Sequence, residues 1–131
     1  MVVLSSCFGL FDSGDDKITD EYHVAWMDLH SAQGIYHNKE EYGLTEQVIP
    51  NYVFAVGYND DFIVAKQHPT NGFYGGHKIF KDTLNFFIIQ IQDEMDSIYG
   101  PLTKEEFALK AKEFDIQNIT FDMKYPEMCY D

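Results

Sequence analysis

The sequence predicts an α+β domain: a mainly antiparallel sheet of five or six strands with one helix, at about 103–114, packed on one face. Three observations predict it. Two apolar-alternating runs, "NYVFAVGYN" and "DFIVAKQ", are joined by "YNDD", whose Asn and Asp carry the turn chemistry of a β-hairpin. Thr103, with Glu106 three residues on, forms a capping-box pattern ahead of apolar residues at helical spacing. The 131 residues are 45% hydrophobic and 16% aromatic, which supplies one core and favours strands.

The elements follow in order. "EYHVAWMDLH" alternates as a first strand, with Tyr22, Val24 and Trp26 on one face and His23, Ala25, Met27 and Leu29 on the other. "SAQGIYHN" reads as a turn and a second strand around Gly34–His37, and the polar "NKEEYGLTEQ" as a loop. In "NYVFAVGYN" the alternation sets Tyr52, Phe54, Val56 and Tyr58 against Val53, Ala55 and Gly57. "HPTNGFYGGHK", with one Pro and three Gly, reads as a loop. "LNFFIIQIQ" is a strand with Phe87, Ile89 and Ile91 inward and Gln90 and Gln92 outward, after which "DEMDSIYGP" turns the chain. In the helix, Glu105 and Glu106 suit the positive N-terminal end, and Phe107, Ala111 and Phe114 form a stripe that should dock on the sheet. "NITFDMKY" reads as a last strand.

Charge narrows the partners. There are 22 acidic residues against 9 basic ones, a net charge of −13, and every basic residue is lysine. Arginine supplies the rigid fork that grips phosphate and guanine. Its absence, together with the negative charge, argues against nucleic acid as a partner.

The two cysteines, Cys7 and Cys129, sit at opposite ends of the chain. A disulfide between them would close a loop of roughly 120 residues, which chain entropy rates at about 5 kcal/mol. The stretch "LSSC" at 4–7 has a second reading as a lipobox, an aliphatic residue and two small ones before a cysteine that accepts a lipid. On that reading residues 1–6 are the end of a signal peptide, although only "MVVL" precedes the small residues, short of the usual apolar h-region. Residues 7–20, rich in Gly, Ser and Asp, would then be an acidic flexible tether, and 21–131 a single α+β domain. The expected address is the bacterial cell envelope, lipid-anchored through Cys7.

"VIPNYVFAVGYNDDFIVAKQ" and "NFFIIQIQDEMDSIYGPLTKEEF" together resemble small bacterial lipoproteins of the DUF3997 type, in which segments like "IIAKQ" and "GPLTEEEF" recur. The resemblance covers roughly residues 48–114. It implies an envelope address and a fold, and carries no functional residues across.

Few residues point to chemistry. His23, His30 and His37 are seven apart, a spacing that switches faces on strands, and no H-x-H or H-E-x-x-H pattern occurs, so no metal is expected. The aspartates of "DSGDDKITD" lack the twelve-residue calcium pattern and read as a solvated linker. No G-x-S-x-G, Cys–His signature or phosphate loop appears, so neither catalytic residues nor a cofactor are expected. "GFYGGHKIFKD" is the candidate binding loop, with Phe73, Tyr74, His77 and Lys78 presented among glycines. The expected function is a non-catalytic envelope lipoprotein domain that binds a protein or a small ligand. Two alternatives are an acidic immunity or inhibitor protein, which charge would steer to a basic partner, and a small hydrolase-like enzyme pairing a histidine such as His77 with a carboxylate.

Overall fold

Nine strands and a helix form among the described residues of a computed structural model, which are 14–27, 29–39, 44–70, 79–92 and 95–124. In chain order they are β1 (Gly14–Lys17), β2 (Tyr22–Met27), β3 (Leu29–Lys39), β4 (Leu44–Ile49), β5 (Val53–Tyr58), β6 (Phe62–Gln67), β7 (Asn85–Gln90), β8 (Ser97–Leu102), α1 (Lys104–Glu113) and β9 (Met123–Lys124). The class is α+β. The expected single sheet is instead two antiparallel sheets, ordered β1-β2-β3-β4 and β8-β7-β6-β5-β9. The break falls after β4, at Pro50, which has no N–H to donate to a continuing ladder.

The two sheets share one mainly aliphatic cluster. Ile18, Tyr22, Val24, Ile35 and Ile49 from the first sheet region meet Val53, Val56, Ile63, Ala65, Phe87 and Ile89 from the second. The opposite face of the second sheet packs under α1, where Val64 and Ile88 meet Ala111 and Ile116, with Phe62, Tyr99, Leu102, Phe107, Phe114 and Phe121 around them. The second sheet is therefore the middle of three layers, which is why β7 is buried at four successive positions rather than alternating. Phe87 and Ile89 point between the sheets as expected, with Ile91 packed against the same cluster.

Several elements depart from expectation. Gly14–Lys17 pairs antiparallel with β2, and Ile18 is buried, so the second half of the expected tether belongs to the domain. A polar edge strand shows no apolar alternation, since its backbone bonds rather than its side chains join it to the sheet. The strand at Gly34–His37 begins earlier, at Leu29, and part of the expected polar loop is β4. Ser97–Leu102, read as a turn, is an edge strand on β7. There Gly100 has φ of 145°, where a side chain would be strained, and Pro101 occupies an edge as it must.

The β5 faces are also reset. Val53 opposes Gln67 while Ala55 opposes Lys66, so Phe54 is the extra residue of a β-bulge. The bulge puts Val53 and Val56 in one cluster, although simple alternation separates them. The turn after β5 forms as expected: Asn59 Oδ1 accepts hydrogen bonds from the backbone N–H groups of Asp61, at 2.9 Å, and Phe62, at 2.8 Å. The helix start also forms as expected, with Glu106 N–H donating to Thr103 Oγ1 at 3.1 Å and Thr103 N–H donating to Glu106 Oε1 at 2.8 Å. The expected last strand pairs only at Met123–Lys124, against Val56 and Ala55.

Candidate functional site

The sequence-predicted site residues Cys7, Phe73, Tyr74, His77 and Lys78 lie outside the described residues, as does Cys129. What is described is the stem of the candidate loop. Thr70 and Ile79 form a bridge, Phe80 N–H donates to the Pro69 carbonyl at 2.9 Å, and Asn51 Nδ2 donates to Thr70 Oγ1 at 3.0 Å. His68 is buried there, stacked on Phe54 at 4.4 Å between ring centroids, with Nδ1 2.9 Å from the Thr83 carbonyl. Gln67 Nε2 donates to the Pro50 carbonyl at 2.8 Å, and Asn85 Nδ2 donates to Gln67 Oε1 at 3.0 Å. The ends of the loop are thus fixed to β6, β7 and the β4–β5 connection by backbone and side-chain bonds.

Among the described residues the histidines do not gather. His23 opposes and stacks on Tyr36, whereas His37 opposes Tyr22 and sits 3.3 Å from Glu21 Oε1. Among the described residues no three His, Cys, Asp or Glu side chains are placed to hold a metal ion. Two buried polar contacts join the layers instead. Gln33, fully buried, donates from Nε2 to the Val53 carbonyl at 2.6 Å. Tyr22 donates its hydroxyl hydrogen to Asp96 Oδ2, and Asp96 Oδ1 accepts from Gln92 N–H at 2.8 Å. Burial, then the bond to the Asp96 carboxylate and its charge, push the Tyr22 hydroxyl far above its ordinary range. Burial raises Tyr36 as well.

A concave feature among the described residues lies elsewhere, between α1 and the second sheet, in a cleft of about 340 Å³. Helical geometry puts Lys104, Phe107, Ala108 and Ala111 on its wall, since i, i+3, i+4 and i+7 share one face. Phe86 supplies the floor from β7, and Phe121 closes the far side from the segment before β9. The three phenylalanine rings are mutual neighbours, with centroids 4.6 Å apart for Phe86–Phe107, 6.1 Å for Phe107–Phe121 and 6.4 Å for Phe86–Phe121. Lys66 reaches in from β6 with Nζ 4.6 Å from the Phe121 centroid and 5.9 Å from that of Phe86. No lining residue is acidic, and neither Lys66 nor Lys104 is in an ion pair among the described residues. Such a site can hold an apolar body beside one or two cationic groups. It offers no general base and no nucleophile beyond the lysine amines.

A family model described as a protein of unknown function (DUF3997) matches residues 19–127. The chain belongs to this family. No curated protein and no solved structure matches it. The DUF3997 segment begins in the turn between β1 and β2 and runs past β9, so it contains every residue of the cleft and the stem of the candidate loop.

Sequence reasoning missed the cleft although its parts carried signals. Lys66 stands in "FIVAKQ" on the face that also carries Val64, a lysine where alternation asks for an apolar residue. The stripe Phe107, Ala111, Phe114 was legible, but it reads Ala111 as packing rather than as space, and it leaves Ala108 out. The contribution of Phe121 required knowing how the chain returns after the helix.

Proposed function

We propose that this chain is a non-catalytic ligand-binding module of the bacterial cell envelope, held to a membrane by a lipid on Cys7. The observation that carries the binding half is the cleft on α1, where aromatic walls meet two lysines and no carboxylate in a chain of net charge −13. Its volume, about 340 Å³, falls at the small end of the range for small-molecule sites, roughly 300–1,000 Å³. The three-layer scaffold beneath it favours a pre-formed site over one that must fold around its ligand. The anchoring half rests on "LSSC" and on the DUF3997 resemblance.

Two experiments test the two halves. Mass spectrometry of the protein expressed from its full-length gene is expected to find a lipid on Cys7, with the protein in the membrane fraction and a Cys7→Ser variant released from it. An unmodified Cys7 in that protein removes the anchor. For binding, amide NMR of the chain against a mixed set of small amphiphiles, neutral and charged, is expected to show saturable shifts clustered on Phe86, α1 and Phe121. Shifts confined to the 68–81 loop, or none, remove the cleft as the site.

The net charge favours one further reading, an acidic inhibitor of a basic protein. That reading expects capture of a toxin encoded beside this gene, with an affinity that falls steeply as salt rises.

A further inference from the structure

We infer that the cleft on α1 selects a small amphipathic carboxylate, an acid with an alkyl or aryl body, its carboxylate lying against Lys66 and Lys104. The inference rests on the binding-module reading above and deepens it to a ligand class. The body is recognised by rings: Phe86, Phe107 and Phe121 pack against one another at centroid distances of 4.6 to 6.4 Å, and an apolar body would lie over the ring surface that this cluster turns to the cleft rather than between the rings. Ala108 and Ala111 line the helix side of the space, where leucine or phenylalanine would fill it.

The acid is recognised by charge. Lys66 is half-buried, and its ammonium lies over two phenyl rings. A lysine so placed has lost part of its hydration, and an anion at the cleft mouth restores the lost interaction at close range. Lys104 stands one residue after the helix cap, on the same wall. The chain is acidic overall, with Glu105 and Asp122 next in sequence to lining residues, but the charged side chains that line the cleft itself are Lys66 and Lys104 alone. Lys66 and Lys104 present compact point charges, which suit the small head of a carboxylate. Gln117 adds an amide at the rim, able to donate to the second carboxylate oxygen.

The test is a titration of the full-length chain with decanoate, decanol and decyltrimethylammonium, followed by amide NMR and calorimetry. Decanoate is expected to bind saturably at the cleft, at least tenfold tighter than decanol, with no saturable binding of the cation. Lys66→Gln is expected to weaken decanoate about tenfold and leave decanol unchanged, and Lys104→Gln to weaken it about threefold. Ala108→Leu, at an exposed helix position that tolerates a larger side chain, is expected to abolish binding of decanoate and decanol alike. Equal affinities for decanoate and decanol, or an unchanged decanoate affinity in Lys66→Gln, overturn the carboxylate assignment while leaving a binding module with a neutral ligand. Absence of saturable binding by all three probes at the cleft overturns both.

Discussion

The two faces of the central sheet are made of different material. Toward the first sheet, Val53, Val56, Ile63, Ala65 and Ile89 are aliphatic, and all are fully buried. Toward the helix the residues are mainly aromatic and several remain half-exposed, with Lys66 and Lys110 resting on the rings. Branched aliphatic side chains interdigitate between two pleated surfaces with little room left over. A ten-residue helix is only about 15 Å long and cannot cover a five-stranded sheet. The aliphatic face specifies the fold, and the incompletely covered aromatic face is where a ligand can enter.

The largest effect should come from breaking the aliphatic face. Ile89→Ala is expected to cost about 3–4 kcal/mol in urea unfolding, because the side chain is fully buried between sheets that cannot collapse onto the gap. Phe107→Ala, on the other face, is expected to cost roughly half as much, because its ring is already part-solvated. Equal losses would erase the contrast between the two faces.

Next in size is Gly57→Ala, expected to cost about 2–3 kcal/mol. A Cβ there would lie 2.2 Å from the Thr120 carbonyl oxygen, so the returning segment would have to move off β5. Hydrogen exchange should show the loss first in the β5–β9 pairing at Val56–Met123, next to Phe121 of the cleft.

This contrast marks what was legible in the sequence. The β5–β6 hairpin, the inward residues of β7 and the capping box were readable because Asn59, the Phe87–Ile89–Ile91 alternation and the Thr103–Glu106 pair act over a few residues. The edges of the first sheet were not. Residues 14–17 and 44–47 are polar strands at sheet edges, where backbone pairing decides and periodicity is silent. The bulge at Phe54 is invisible to alternation because it is the place where alternation fails. The cleft needs Lys66, Phe86, Lys104 and Phe121, which lie on four segments spread over 56 sequence positions (66 to 121) and meet only through tertiary packing.

A smaller effect joins the layers. Tyr22→Phe is expected to cost about 1–2 kcal/mol at neutral pH by removing the hydrogen bond to Asp96 between the first sheet and the β7–β8 connection. The pH dependence gives it a signature. The folded state holds the Tyr22 proton more tightly than the unfolded chain does, so its contribution is complete below the ordinary tyrosine pKa of about 10 and is lost as pH rises beyond it. The wild-type chain should therefore lose stability above pH 10 more steeply than Tyr22→Phe, with Tyr36 leaving a residual slope in both. Parallel alkaline curves would deny the contact its role.

The smallest expected effect is at the helix start, and it ties stability to the cleft. Thr103→Ala should cost about 1 kcal/mol by leaving the Glu106 N–H without its side-chain cap. Glu106→Ala breaks the reciprocal bond to the Thr103 N–H. Each change disables the same box, so the double variant should cost less than the sum of the singles. Lys104 follows the cap directly, and its place on the cleft wall depends on an ordered first turn. Capping variants should therefore weaken decanoate by no more than Lys104→Gln does, and combining Thr103→Ala with Lys104→Gln should add nothing further. A larger loss from the cap alone would mean that the first turn itself, rather than the Lys104 charge, shapes the cleft.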